Sequence, residues 1–280
     1  MIFPELSSSP KPLTFAELGL NSALLKALPA SLKYPTRVQQ LAIPAILAGR
    51  DLLALAQTGS GKTLAFGLPL LQQLLLQQQT QLQGAKSVQS PNAQALVLVP
   101  TRELALQVTE ALQAVASQLS ASLIIQLLCG GVPLEDQLVE LATKPQVLVA
   151  TPGRLLDLCK QSHVSLDSIK HLVLDEADRL LEMGFWPDVQ KLMAFMPKLK
   201  QTSLFSATLP EALDTLAGKL LVNEPLRVEA HKVNSVAGEI EEQLYLVNKG
   251  SKAQVLIALL KQYQWPQVLV FISARDDADA

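Results

Sequence analysis

Cysteine and histidine are scarce in this 280-residue chain: Cys129 and Cys159, with His163, His171 and His231 at no ligand spacing to them, exclude a zinc site. Both cysteines read as reduced core residues. Charge is also balanced. Lysine and arginine number 23 against 25 acids, a formal net charge of −2, with neither a basic nor an acidic tail. Attraction to a polyanion must therefore come from a local patch rather than from the field of the whole molecule. No uninterrupted apolar run approaches membrane-spanning length, and no basic region followed by an apolar stretch opens the chain, so a cytoplasmic protein without a membrane partner is expected. What the chain has in quantity is core. Hydrophobic residues make up 49% of it, ample for one large or two modest domains.

The chemistry begins at Ala56-Gln57-Thr58-Gly59-Ser60-Gly61-Lys62-Thr63, behind the apolar run Leu52-Leu53-Ala54-Leu55. A strand, a turn of small residues and a helix start bind nucleoside triphosphate. Backbone N–H groups converge on phosphate oxygens, the helix start near Gly61 adds its positive end, Lys62 reaches the outer phosphates and Thr63 ligates Mg²⁺. The structural alternative is a glycine-containing turn with no ligand. Ala56 stands where the usual pattern opens with glycine.

A second strand, Leu172-Val173-Leu174, delivers Asp175, Glu176 and Asp178 within four positions. Such crowding of carboxylates points to a metal. Asp175 would hold Mg²⁺ through water, Glu176 would orient or deprotonate the attacking water, and Asp178 is left for coupling. A solvated acidic helix start is the alternative. Together with the phosphate turn upstream, the cluster implies an ATPase or GTPase.

At this point the chain resembles the DEAD-box ATP-dependent RNA helicases, of the bacterial type. Asp175-Glu176-Ala177-Asp178 spells the family name, and Pro35-Thr36-Arg37-Val38-Gln39, the phosphate turn, Pro100-Thr101-Arg102-Glu103-Leu104-Ala105, Gly130-Gly131, Thr151-Pro152-Gly153-Arg154 and Ser206-Ala207-Thr208 follow the order of its first domain. The resemblance implies ATP with Mg²⁺ as cofactor and RNA as partner. Gln39 would pair with the adenine edge and Phe15 stack on the ring; an exposed helix residue and a core aromatic are the alternatives. Pro100, Thr101, Arg102, Gly130, Gly131, Thr151, Pro152, Gly153 and Arg154 would meet the RNA backbone with little sequence choice. Thr101 and Thr151 each follow an apolar run, at strand ends where a parallel sheet presents ligands, although turns, caps and solvated charge explain each of these residues singly. Ser206 and Thr208 would communicate between the carboxylates and the RNA, their hydroxyls within reach of Asp178.

Strand candidates at 51–55, 95–99, 122–128, 146–150, 171–174 and 202–205 alternate with helical spacing, which predicts a RecA-like α/β fold with a parallel sheet covered on both faces. Residues 1–14 read as a flexible lead, 15–228 as the ATP-binding domain, 229–242 as a linker and 243–280 as the truncated start of a second α/β domain, with strands at 243–247 and 268–272 around a helix at 252–262. The glutamine-rich stretch 72–92 reads as a helix extension dissolving into a solvated loop without function.

Two departures from the family qualify the expectation. Ser31 stands where the family usually has glycine, and the later arginine-rich motif has no counterpart before Ala280. Because an arginine finger contributes on the order of 10³ to 10⁵ in rate, ATP binding with slow hydrolysis and no strand separation is expected of this chain alone, its last segment fraying. Three functions remain open: a partial RNA helicase, an RNA-binding ATP switch without strand separation, and a DNA-directed phosphate-loop ATPase.

Overall fold

Short apolar runs separated by helical spacing have one economical solution, a sheet with helices on both faces. The computed structural model describes residues 12–83, 93–230 and 243–272, and the chain divides into two units, Met1–Ser235 and Val236–Ala280.

In the first unit, strands β1 (Leu52–Leu55), β2 (Ala95–Leu98), β3 (Ile125–Leu128), β4 (Val147–Ala150), β5 (His171–Leu174), β6 (Gln201–Ser206) and β7 (Leu226–Glu229) form one sheet in the order β3-β4-β2-β5-β6-β1-β7. Every pairing is parallel. Successive residues of each strand feed opposite cores. Leu52, Ala54, Ala95, Val97, Val147, Val149, Val173 and Phe205 face one, with helices α1 (Ser22–Ala27), α2 (Arg37–Leu47), α3 (Lys62–Gln83) and α4 (Arg102–Ala116). Leu53, Leu55, Leu96, Leu98, Leu148, Leu172, Leu174 and Leu204 face the other, with α6 (Pro152–Lys160), α7 (Ala177–Glu182), α8 (Trp186–Ala194) and α9 (Glu211–Leu220). The remaining helix of this unit, α5 (Leu134–Leu141), follows β3. Cys129 and Cys159 are free thiols in the interior. Burial pushes the Cys159 thiol up to about 11, the state of a packing residue rather than a nucleophile.

Three expectations change. Strand β7 occupies a segment with no predicted strand, because its alternation is only four residues long and one-sided; its last residue, Glu229, was assigned to the linker. The stretch from 72 is not simply solvated. Gln72 is buried, accepting from the Asn21 N–H at 2.7 Å and donating to the Gly19 carbonyl at 3.0 Å, while Gln73 donates to the Ile46 carbonyl. Residues 84–92 of that stretch lie outside the described residues. In the second unit, helix α10 (Lys252–Tyr263) is present, but residues 243–247 and 268–272 form no strand. A strand is defined by its ladder, and no described segment there supplies one. Among the described residues, no helix is long and apolar enough to cross a membrane.

Candidate functional site

The strand order decides which turns become neighbours. β1, β6 and β5 are adjacent, so the turns after Leu55, Leu174 and Ser206 leave the sheet side by side. A parallel sheet presents ligands at these carboxyl ends.

The turn after β1 is held from both sides. The Ala56 N–H donates to the Ser206 carbonyl at 2.9 Å, and Ser60 Oγ donates to the Gln57 carbonyl at 2.7 Å. Gly59 and Gly61 have φ of +78° and +91°, a region that resists side chains. Lys62 is buried and its Nζ donates to the Ala56 carbonyl at 3.2 Å, which keeps the ammonium within the turn. Thr58 and Gly59 are exposed, and Thr63 is half-buried in the first turn of α3. Backbone N–H groups, an ammonium and a hydroxyl thus share one turn.

Gln39 is buried rather than exposed on α2. Its Oε1 accepts from the Thr36 N–H at 2.9 Å and its Nε2 donates to the Gly61 carbonyl at 3.1 Å. A Cβ at Gly61 would lie 2.6 Å from that nitrogen, so the glycine is required for the approach. Thr36, which the sequence reading passed over, belongs to this contact; a threonine three residues before a glutamine at a helix start is its legible signal. Phe15 is buried in the core and also lines a cavity of about 300 Å³ with Leu28, Leu32 and Lys33.

The three carboxylates do not act as one cluster. Among the described residues, no group of three or more His, Cys, Asp or Glu side chains is arranged to hold a metal. Asp178 accepts from both the N–H and Oγ1 of Thr208, at 2.9 and 2.8 Å, while its own N–H donates to Ser206 Oγ at 3.2 Å. Burial alone would raise its pKa, but the bonds from Thr208 and Ser206 hold it below the usual range. Glu176 has φ +49°, strained for a residue with a side chain, and its Oε2 pairs with Arg179 at 3.0 Å. Arg179 was not anticipated, though its i+3 spacing on a helix start makes the pair readable. Asp175 remains. It is 2% exposed, accepts from the Glu176 N–H at 2.9 Å, forms no ion pair among the described residues, and burial pushes its carboxyl up to about 6, with Lys62 pulling the other way. A buried carboxylate short of positive charge fits a cation, with the Thr63 hydroxyl as a second oxygen donor of the hard kind that Mg²⁺ takes.

On the other side of β5, strands β3, β4 and β2 gather a second set of turns. Arg102 donates to the Gly131 carbonyl at 3.2 Å and Arg154 to the Val132 carbonyl at 3.1 Å, so both guanidinium groups pin the turn after β3. Thr101 caps α4 by accepting from the Leu104 N–H, whereas Thr151 makes no side-chain cap on α6. A Cβ at Gly130 or Gly153 would meet nothing within 4 Å, leaving open surface there; at Gly131, with φ +77°, it would lie 2.7 Å from Arg102. Pro100 and Pro152 are buried and shape the turns from beneath.

Comparison with known proteins follows this geometry. The family model for the DEAD/DEAH box helicase matches residues 36–216. The ATP-dependent rRNA helicase RRP3 of Gibberella zeae is 39% identical over 262 residues, covering 92% of this chain and 51% of the relative. The ATP-dependent RNA helicase DbpA of Escherichia coli is 43% identical over 245 residues, covering 88% and 50%. A solved DEAD box protein from the hyperthermophile Methanococcus jannaschii superposes with a TM-score of 0.68 at 33% identity, over 89% of this chain and 63% of that one. The chain spans about half the length of the curated relatives it matches. A family match over more than half of the chain, on a sheet of the kind its motifs require, places this protein in the DEAD/DEAH box helicase family.

Proposed function

We propose that this chain is the ATP- and RNA-binding part of an ATP-dependent RNA helicase acting in the cytoplasm. Residues 15–229 form the ATP-binding domain, which closes on β7, 230–242 a linker and 243–280 the opening of the second domain. The observation that carries the reading is the strand order, which collects the nucleotide turns on β1, β6 and β5 and the RNA turns on β3, β4 and β2. The two sets meet where β2 pairs with β5.

In this reading the 56–63 turn cradles the phosphates, Lys62 neutralises the outer ones, and Gln39 and Phe15 select adenine. Thr63 and Asp175 hold Mg²⁺, which supplies charge neutralisation to the transferred phosphoryl group. Glu176 orients the attacking water once Arg179 releases it. Asp178, tied to Ser206 and Thr208, carries the state of the acidic turn into β6. Arg102, Arg154, Thr101, Thr151 and the open glycines bind RNA phosphate and ribose, and the 2′-hydroxyl separates RNA from DNA.

Calorimetric titration with Mg-ATP tests the core of the proposal. Lys62→Ala removes a charge-assisted bond and is expected to weaken binding by roughly a hundredfold or more. Absence of heat at millimolar Mg-ATP, or equal affinity for Mg-GTP, would overturn the nucleotide assignment. Equal competition by RNA and DNA oligonucleotides would move the chain to the DNA-directed class.

A further inference from the structure

Strand β3 ends the sheet, and among the described residues no strand covers its outer side. Its inner side is fixed by bonds to the carbonyls of Ile124 and Leu128, from Gln146, Val147 and Thr151. In a strand the residues between these point the other way, so the N–H and C=O groups of Ile125 and Leu127 face outward. Among the described residues, the Ile125 carbonyl alone of these has a partner, Gln113 Nε2 at 3.0 Å. This edge forms the floor of an open cavity of about 340 Å³ walled by α4 and α5.

The walls have a definite chemistry. Leu106 of α4 is an exposed apolar residue at one side, Asp136 and Glu140 of α5 are exposed acids at the other, and no lysine, arginine or histidine is among the lining residues. Two buried amide oxygens, Gln126 Oε1 and Gln137 Oε1, have no hydrogen-bond partner in that wall. Their orientation is not arbitrary, because Gln126 Nε2 donates to the Gln137 carbonyl and Gln137 Nε2 to the Cys129 and Val132 carbonyls. The cavity therefore offers negative charge beside an open strand edge.

We propose that this groove takes an extended basic segment of a partner protein, which pairs with β3 as an added strand and sets its lysine or arginine side chains against Asp136 and Glu140. Backbone pairing supplies the affinity and the acidic wall supplies the choice of side chain. The strand spans about 13 Å at about 3.3 Å per residue, room for a short segment only. Such a partner would lie against the turn that Arg102 and Arg154 pin.

The probe is a short blocked peptide alternating lysine and valine, followed by fluorescence anisotropy and by amide exchange of the intact chain. Saturable binding with slowed exchange at Leu127 is expected. N-methylation of the peptide at alternate positions removes two backbone bonds and is expected to weaken binding roughly thirtyfold. The Asp136→Lys, Glu140→Lys double variant is expected to weaken it on the order of tenfold with an unchanged melting temperature. Should that variant fail to fold, the methylated peptide tests the proposal on the unaltered chain. Undiminished binding of the methylated peptide, equal displacement by spermidine or by single-stranded RNA, or a self-paired dimer that buries the edge would each overturn it.

Discussion

At the scale of single residues, the acidic turn separates three carboxylates into three states. Asp178 is satisfied by Thr208, Glu176 by Arg179, and Asp175 is left buried with its carboxyl near 6. A folded pKa above the unfolded 3.8 means that the native state binds the proton more tightly. Stability from this group is therefore full below pH 4 and is lost as pH rises through 6. Asp175→Asn keeps the shape and the acceptor for the Glu176 N–H while removing the charge. It is expected to stabilise the nucleotide-free protein at pH 8 by on the order of 2 kcal/mol, with little effect near pH 4. Urea denaturation at the two pH values checks this, and an equal effect at both would disprove the linkage. The same variant is expected to lose Mg-dependent ATP binding, the usual conflict between stability and a functional charge. The residue types at 175–178 are legible in the sequence. Which carboxylate is left without a cationic or hydroxyl partner is not, since it depends on Thr208 and Arg179 arriving from a different strand end and the next helical turn.

Among the elements, a residue outside every motif makes a many-sided connection. Asp51, immediately before β1, is fully buried, and its carboxylate accepts from the N–H groups of Thr202 at 2.7 Å and of Val222 and Asn223 at 2.8 Å each. Its backbone also receives the Leu226 N–H at 2.9 Å. One side chain thus ties the start of β1 to β6 and to the connection entering β7. Asp51→Ala leaves three backbone donors without their acceptor and is expected to cost about 3 kcal/mol or more, with Asp51→Asn intermediate because one oxygen remains. Chemical denaturation measures both, and an alanine variant within about 0.5 kcal/mol of the parent would contradict the role. Six strands of the first unit were readable from short apolar runs set between stretches of helical spacing. β7 was not, because Leu226–Glu229 is stabilised by its neighbour β1 and by this clip rather than by its own pattern.

For the molecule as a whole, the two units differ in kind. The first has two cores that bury both faces of a parallel sheet. In the second, helix α10 buries no residue, and Leu244, Leu246, Leu269 and Phe271 are largely exposed. A helix of twelve residues without tertiary packing is marginal in water. Amide exchange is expected to be fast along α10 while β1, β2, β5 and β6 exchange only through global opening. Protection of α10 equal to that of the sheet would refute this. The sequence by itself determined the chemistry: a turn that binds phosphate, an acidic strand end and a series of motifs in one order along the chain, because residue types and near-neighbour spacing are local properties. Only the tertiary structure decided the permuted strand order, which gathers those motifs at two neighbouring sets of strand ends. It also decided which carboxylate is left in want of a cation and which sheet edge stays open. Those are consequences of non-local pairing and burial, and no window of sequence contains them.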